Sequence, residues 1–354
     1  MKKIKVKYCK YDKFDENTPL TYNYFIHNIL KKYYDVEVSD NPDYVFYHES
    51  TYDYLKYNCI RIFYTAENVS PNFNLCDYAI SNDYINFEDR HYRLASYLVA
   101  TFYQKKELEL AKDIDITKPK IFTKEDLAKK TDFCSFVYSN YLADERRKIL
   151  FDKIYAYKKV DAGGKYLNNI GGPTDNKLGF EMKHKFSMAI ENSSRNGYTT
   201  DRIVCSFMAN TIPIYWGNPE IGREFNTKRF INCHDYKTFD EAVERVKEID
   251  NNDELYLKII NEPLFAEDYS FEKATNGLEK FLRNIFDQPI ENASRRTINM
   301  ARSVKMEKNE KIIERYTKKQ AKIKKLLAKL YQPFKKIKSL ENFKENYFRK
   351  KILK

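Results

Sequence analysis

The chain has 354 residues, 42% hydrophobic and 16% aromatic, with a formal net charge of +12. That length allows two domains of ordinary size, and six cysteines at 9, 59, 76, 134, 205 and 233 without CxxC spacing exclude a disulfide framework or zinc ribbon and fit a reducing compartment. No run reaches the ~18 consecutive apolar residues of a membrane span, and the start Lys2-Lys3-Ile4-Lys5 does not read as a signal peptide, so a cytoplasmic location is expected.

In chain order, Ile4–Tyr8, Tyr44–Tyr47 and Ile60–Thr65 read as strands, with a helix over Thr21–Tyr34 between the first two. Ile62 to Asn68 is a strand running into a polar turn that ends on Glu67, by itself a solvated or capping residue. The charged stretch Lys105–Asp132 divides the body, and Phe133–Ser139 begins a second set of strands. Lys159-Val160-Asp161 is strand-like and leads to Gly163-Gly164-Lys165, which suits either close approach to a ligand or a tight turn.

The densest signal is Lys185–Tyr236. The apolar run Phe186–Ile190 enters Glu191-Asn192-Ser193-Ser194, and Tyr198-Thr199-Thr200 precedes a segment with Ile203, Val204, Phe207 and Met208 on one face. Thr199 or Thr200 suits an N-cap and Asp201 the first helical turn. A helix N-terminus favours a phosphate, and Arg202 adds a cation there. On local physics alone this is an ordinary strand–helix–strand unit. Strands alternating with helices argue for an open α/β sheet in each half, with ligands at the carboxyl ends of the strands.

The charge belongs to the tail. Residues 302–354 hold 19 basic and five acidic side chains, against 44 and 46 in the preceding 301. Ile312, Ile313, Tyr316, Ile323, Leu326, Leu327 and Leu330 form a helical apolar stripe that Pro333 interrupts. A basic amphipathic helix suits an anionic membrane surface, or a solvated extension that packs on the body; nucleic acid is not expected.

In order and length, Ile190-Glu191-Asn192-Ser193, Tyr198-Thr199-Thr200-Asp201-Arg202, Thr211-Ile212-Pro213-Ile214-Tyr215-Trp216-Gly217 and Arg229-Phe230-Ile231-Asn232-Cys233-His234-Asp235-Tyr236 resemble the donor motif of the α-1,3/4-fucosyltransferases of glycosyltransferase family 10, bacterial members above all. The resemblance implies a GT-B architecture, two Rossmann-like domains facing a cleft: 1–115 for acceptor, 116–290 for GDP-fucose, and a basic helical tail, 291–354. It implies transfer of L-fucose with inversion from GDP-fucose to N-acetylglucosamine in a glycan such as N-acetyllactosamine, giving a Lewis-type product, for example on lipopolysaccharide. The tail would hold the protein on the inner face of a membrane.

The resemblance also implies roles. Glu67 stands where the family has its catalytic carboxylate, the general base for the acceptor hydroxyl. Arg147 is the expected diphosphate contact, with the adjacent Arg146 as the alternative. Asn192 and Tyr198 fall to the sugar nucleotide, Asp201 to sugar or ribose hydroxyls, Arg202 to the phosphates, and Gly164-Lys165 to a Gly-Gly run lining the donor. The family's Glu-Lys is Asp201-Arg202 here, a shorter acid and a planar cation. No cofactor and no metal are expected: Asp113-Ile114-Asp115 lies in the charged connection rather than after a buried strand, and the five histidines lack paired ligand spacing. Two alternatives stay open, a related transferase with another nucleotide-sugar donor or acceptor, and a non-catalytic protein acting through its basic tail.

Overall fold

Lysine alternates with apolar residues in β1 (Lys2–Tyr8), so Ile4, Val6 and Tyr8 enter the core. On the other face Lys3 and Lys7 pair with Glu37 (2.9 Å) and Asp40 (2.5 Å). The computed structural model describes residues 1–9, 22–100, 116–118, 121–298 and 300–331. Asp113–Asp115, much of the charged connection and the tail beyond 331 lie outside the described residues.

Helix α1 (Tyr22–Lys31) stops short of the expected Tyr34, because Tyr34 opens β2 (Tyr34–Val38). That strand carries Asp35 and Glu37 and lies at the sheet edge, beside β1 only. Charge and shortness hid it from the apolar pattern. With β3 (Tyr44–Tyr47), β4 (Ile60–Tyr64), β5 (Tyr78–Ser81) and β6 (His91–Arg93) it completes a six-stranded sheet, β2-β1-β3-β4-β5-β6, parallel throughout. Helix α2 (Ser96–Ala100) follows.

The second half runs α3 (Lys124–Ala128), β7 (Asp132–Phe136), α4 (Arg146–Tyr157), β8 (Val160–Ala162), α5 (Lys177–Glu181), β9 (His184–Ile190), α6 (Asp201–Met208), β10 (Ile212–Trp216) and β11 (Ile231–Asn232). Its five strands pair in the order β11-β10-β9-β7-β8, again all parallel. Parallel neighbours need crossovers, and the helices that make them cover both faces, so β9 and β10 read as continuous buried runs. Helices α7 (Phe239–Asp250) and α8 (Asp253–Ile260) close this layer.

The next helix, α9 (Phe271–Asp287), returns to the first sheet although it falls within 116–290. Its Phe286 lies 4.4 Å from the Tyr44 ring, and Leu278, Phe281, Leu282 and Ile285 share one core with Ile4, Val6 and Tyr78. The same core takes in Ile203, Val204, Phe207 and Met208 of α6, which pack beside Leu94–Val99. After α10 (Ile290–Ala293), helix α11 (Ala301–Tyr331) starts on the first half, where Glu307 pairs with buried Arg61 at 2.7 Å. Beyond it Ile312, Ile313, Tyr316 and Ile323 are exposed; the side chains of Leu326, Leu327 and Leu330 lie outside the described residues. Among the described residues no helix is long and apolar enough to cross a membrane.

Candidate active site

Strand β4 is wholly buried, and its ladder closes with Thr65 N–H on Ile80 O at 3.0 Å. The Thr65 hydroxyl then donates to Glu49 (2.8 Å) and accepts from Glu67 N–H (3.0 Å). That local turn ends the strand and leaves Glu67 exposed. Burial pushes the Glu49 carboxyl up, but His48 and Thr65 outweigh it and hold it below its ordinary value.

Across from this turn lies the segment after β9. Asn68 Nδ2 donates to Ser193 Oγ at 2.6 Å, and Arg195 reaches Ser70 (2.6 Å) and Asp83 (2.8 Å). Gly197, at φ +87°, sits so near Asn82 that a Cβ would come within 2.3 Å of its carbonyl oxygen. Arg93 donates to Gly197 O at 3.0 Å and pairs with buried Glu224, which also accepts from Tyr84 at 2.7 Å. The two halves are thus joined through polar contacts at the carboxyl ends of their strands.

Glu191, fully buried, organises the second half of the site. It accepts from Thr200 N–H (2.7 Å) and the Thr200 hydroxyl (2.8 Å), and it pairs with Arg202. Thr200 is the N-cap of α6, but its hydroxyl goes to Glu191 and makes no cap bond within the helix. Burial draws the Arg202 guanidinium down, but Glu191, Tyr138 and Asp201 together outweigh that and hold it above its ordinary value.

Arg147 is 1% exposed, in the first turn of α4. It donates to Ile190 O (3.1 Å) and Asn140 O (3.3 Å) and lies 4.2 Å from the Tyr138 ring centre. Arg202 lies 5.7 Å from the same ring. Burial, with the Arg202 charge alongside, draws the Arg147 guanidinium below its ordinary value. Arg146 instead points outward, to Asp144 (2.9 Å) and over Trp216 (5.6 Å). Tyr138 is held by its own hydroxyl, which donates to Met188 O (2.6 Å) and accepts from Ile190 N–H (2.7 Å).

Tyr198 is 2% exposed and sits between the halves: burial and Glu191 push its hydroxyl up, the Glu67 carboxylate adds to this, and Asn192 lies beside it. Burial raises the Asp201 carboxyl, but Lys177 and Arg202 outweigh it and hold it below the usual carboxylate range. Gly164 is buried, and a Cβ there would lie 1.9 Å from Tyr138 O, so its close approach is to the Tyr138 backbone. Lys165 is exposed. Glu191, Tyr138 and Lys177 were not singled out from sequence; the signal for Glu191 was present in its place directly after an apolar strand. One carboxylate–histidine group, Asp132, Asp161 and His184, gathers on β7, β8 and β9, where the His184 ring already meets Phe180 O (2.8 Å) and Asp161 (3.3 Å).

Residues 7–100 match the alpha-(1,3)-fucosyltransferase FucT N-terminal domain, and residues 127–281 match the C-terminal domain of glycosyltransferase family 10 (fucosyltransferase). A crystal structure of an α1,3-fucosyltransferase with GDP is 30% identical at a TM-score of 0.65, covering 81% of this chain and 93% of that one.

This chain belongs to glycosyltransferase family 10.

The family's GT-B fold accounts for the paired parallel sheets. A crystal structure of an α1,3-fucosyltransferase with GDP-fucose is 28% identical at a TM-score of 0.61, over 81% of this chain and 92% of that one. The alpha-(1,3)-fucosyltransferase FucT of Helicobacter pylori is 33% identical over 307 residues, 76% of this chain. The human 4-galactosyl-N-acetylglucosaminide 3-alpha-L-fucosyltransferase 9 is 25% identical over 151 residues, 41% of this chain. The chain spans 64% of the length of the H. pylori enzyme and 40% of the human one.

Proposed function

We propose that this family 10 protein is an inverting fucosyltransferase that moves L-fucose from GDP-fucose to a hydroxyl of N-acetylglucosamine in a glycan, making an α-1,3 linkage. The observation that carries the reading is the meeting, where the halves join, of an exposed carboxylate with a largely buried pair of cations. Exposed Glu67 leaves the first half, and Arg147 and Arg202 flank Tyr138 on the second. The relatives named for α1,3-fucosyl transfer, one of them bound to GDP-fucose, support the donor. The acceptor draws on the human relative's name alone.

Glu67 takes the proton of the acceptor hydroxyl as that oxygen attacks C1 from the face opposite GDP. The C1–O bond to the diphosphate breaks, and its developing charge meets Arg147, Arg202 and the first turn of α6, whose N–H groups Thr200 does not cap. Asn192 and Tyr198 hold the sugar nucleotide, and Asp201, kept ionised by Lys177 and Arg202, accepts from a sugar or ribose hydroxyl. Gly164 shapes the pocket through Tyr138, with Lys165 at its rim. The basic tail places the enzyme on an anionic membrane surface; the exposed stripe on α11 supports this.

The test is a transfer assay on N-acetyllactosamine in EDTA with GDP-fucose, GDP-mannose and UDP-sugars supplied singly, read by mass spectrometry. The reading expects a fucosylated product from GDP-fucose alone. Transfer from another donor would favour the second reading, a related transferase, which the Asp201-Arg202 pair motivates. No turnover from any donor, together with loss of all binding on removal of 302–354, would leave a protein that acts through its tail.

A further inference from the structure

We propose that a phosphate-class oxyanion, inorganic phosphate or a phosphomonoester, binds between Arg61 and Arg296 where the tail helix α11 meets the first half. A cavity of about 220 Å³ lies there, lined by Lys56, Asn58, Arg61, Arg296, Ser303 and Glu307 among others. A single water needs only about 10–15 Å³, so the space admits a polyatomic ion. It is separate from the candidate active site: Arg61 stands near the amino end of β4, Glu67 beyond its carboxyl end.

The walls are built for a negative guest. Arg61 is 2% exposed and Arg296 7%. Arg61 donates to Glu307 (2.7 Å) and Tyr57 O (3.2 Å) and lies over the Tyr54 ring. Arg296 donates to Cys59 O (2.9 Å), with its Nε 3.7 Å from Asp77. Arg61 Nε and Arg296 Nη1 are buried and lack an acceptor among the described residues. Buried donors are rarely left so without a water or an ion nearby. The two like charges also act on each other: burial, and then Arg61, draw the Arg296 guanidinium below its ordinary value.

Glu307 is the sole acid among the described residues lining the cavity, against Arg61, Arg296 and Lys56, the last already paired with Asp53 at 2.5 Å. It comes from α11, is one-third exposed, and reaches Arg61 alone of the two arginines. Two guanidinium forks on different walls suit a tetrahedral oxyanion, whose several oxygens can meet both, better than a flat carboxylate. Such an anion competes with Glu307 for Arg61, so its occupancy is coupled to how the first turns of the tail helix sit on the body.

Calorimetry of the full chain with inorganic phosphate tests this. Binding is expected in the native chain and in the Arg202→Ala variant, whose donor site is impaired. Glu307→Gln, which removes the competing carboxylate, should tighten it about tenfold, the scale of one freed charge-assisted hydrogen bond. Arg296→Gln should abolish it, together with a lowered melting temperature, because the variant also leaves buried Asp77 without that cation. Absence of binding, loss of binding in Arg202→Ala, or indifference to Glu307→Gln would overturn the proposal; the last stays decisive even where Arg296→Gln misfolds. Vesicles of phosphatidylcholine with and without phosphatidic acid identify the source. Sedimentation with phosphatidic acid that free phosphate displaces assigns a lipid headgroup, and sedimentation indifferent to phosphate assigns the free ion.

Discussion

Asn68 Nδ2 and Ser193 Oγ, 125 residues apart in the chain, lie 2.6 Å from one another. The bond ties the turn that carries Glu67 to the segment that carries Asn192 and Tyr198. It thereby sets the distance between Glu67, the proposed base, and the proposed donor site on the other half. Asn68→Ala should lower kcat/KM by up to about tenfold, the scale of one neutral hydrogen bond, with GDP affinity unchanged. Steady-state kinetics beside GDP calorimetry check this.

Arg147 and Arg202 share the Tyr138 ring, and each should contribute a charge-assisted contact to the diphosphate, about 1.5–3 kcal/mol. Arg147→Ala and Arg202→Ala should each weaken GDP binding accordingly, while Arg146→Ala, whose side chain pairs with Asp144 outside, should not. Calorimetry with GDP on the three variants decides between the neighbours.

Glu191→Gln should destabilise the fold more than it alters any single ligand contact. Breaking a buried ion pair from one side costs about 3–5 kcal/mol, and here it also loosens the Thr200 N–H at the start of α6. A fall in melting temperature with a parallel loss of GDP affinity is expected.

Much of the fold was legible because its strands are buried on both faces. Tyr44–Tyr47, Ile60–Tyr64 and Ile212–Trp216 announce themselves as apolar runs, and the structure pairs each of them. The charged edge strand Tyr34–Val38 and the return of Phe271–Asp287 to the first sheet were not legible: one has no apolar run, and the other depends on which sheet an amphipathic helix finds. At the site, side-chain types at motif positions could be read. Glu191 as a hub could not, because its partners Thr200 and Arg202 become neighbours only when β9 and α6 fold together. Gly164 shows the same limit, since its small size serves Tyr138.

Burial holds His91, His184 and His234 below the ordinary histidine value. Their folded values are depressed relative to the unfolded chain, so below about pH 6.5 the unfolded chain takes up protons that the folded one resists. Stability is therefore full above that pH and declines as the pH falls through it. Melting temperatures should drop from pH 7 to 5.5, and a profile flat over that window would contradict the assignment.

The most direct test of the account is Glu67→Gln, assayed for fucosyl transfer and for GDP binding on the same preparation. Glu67 is exposed, so the fold should survive. The account predicts transfer lost by at least about 100-fold, as for a general base, with GDP affinity near that of the native protein. Transfer at a comparable rate would remove Glu67 as the base and, with it, the claim that the two halves meet to form one active site.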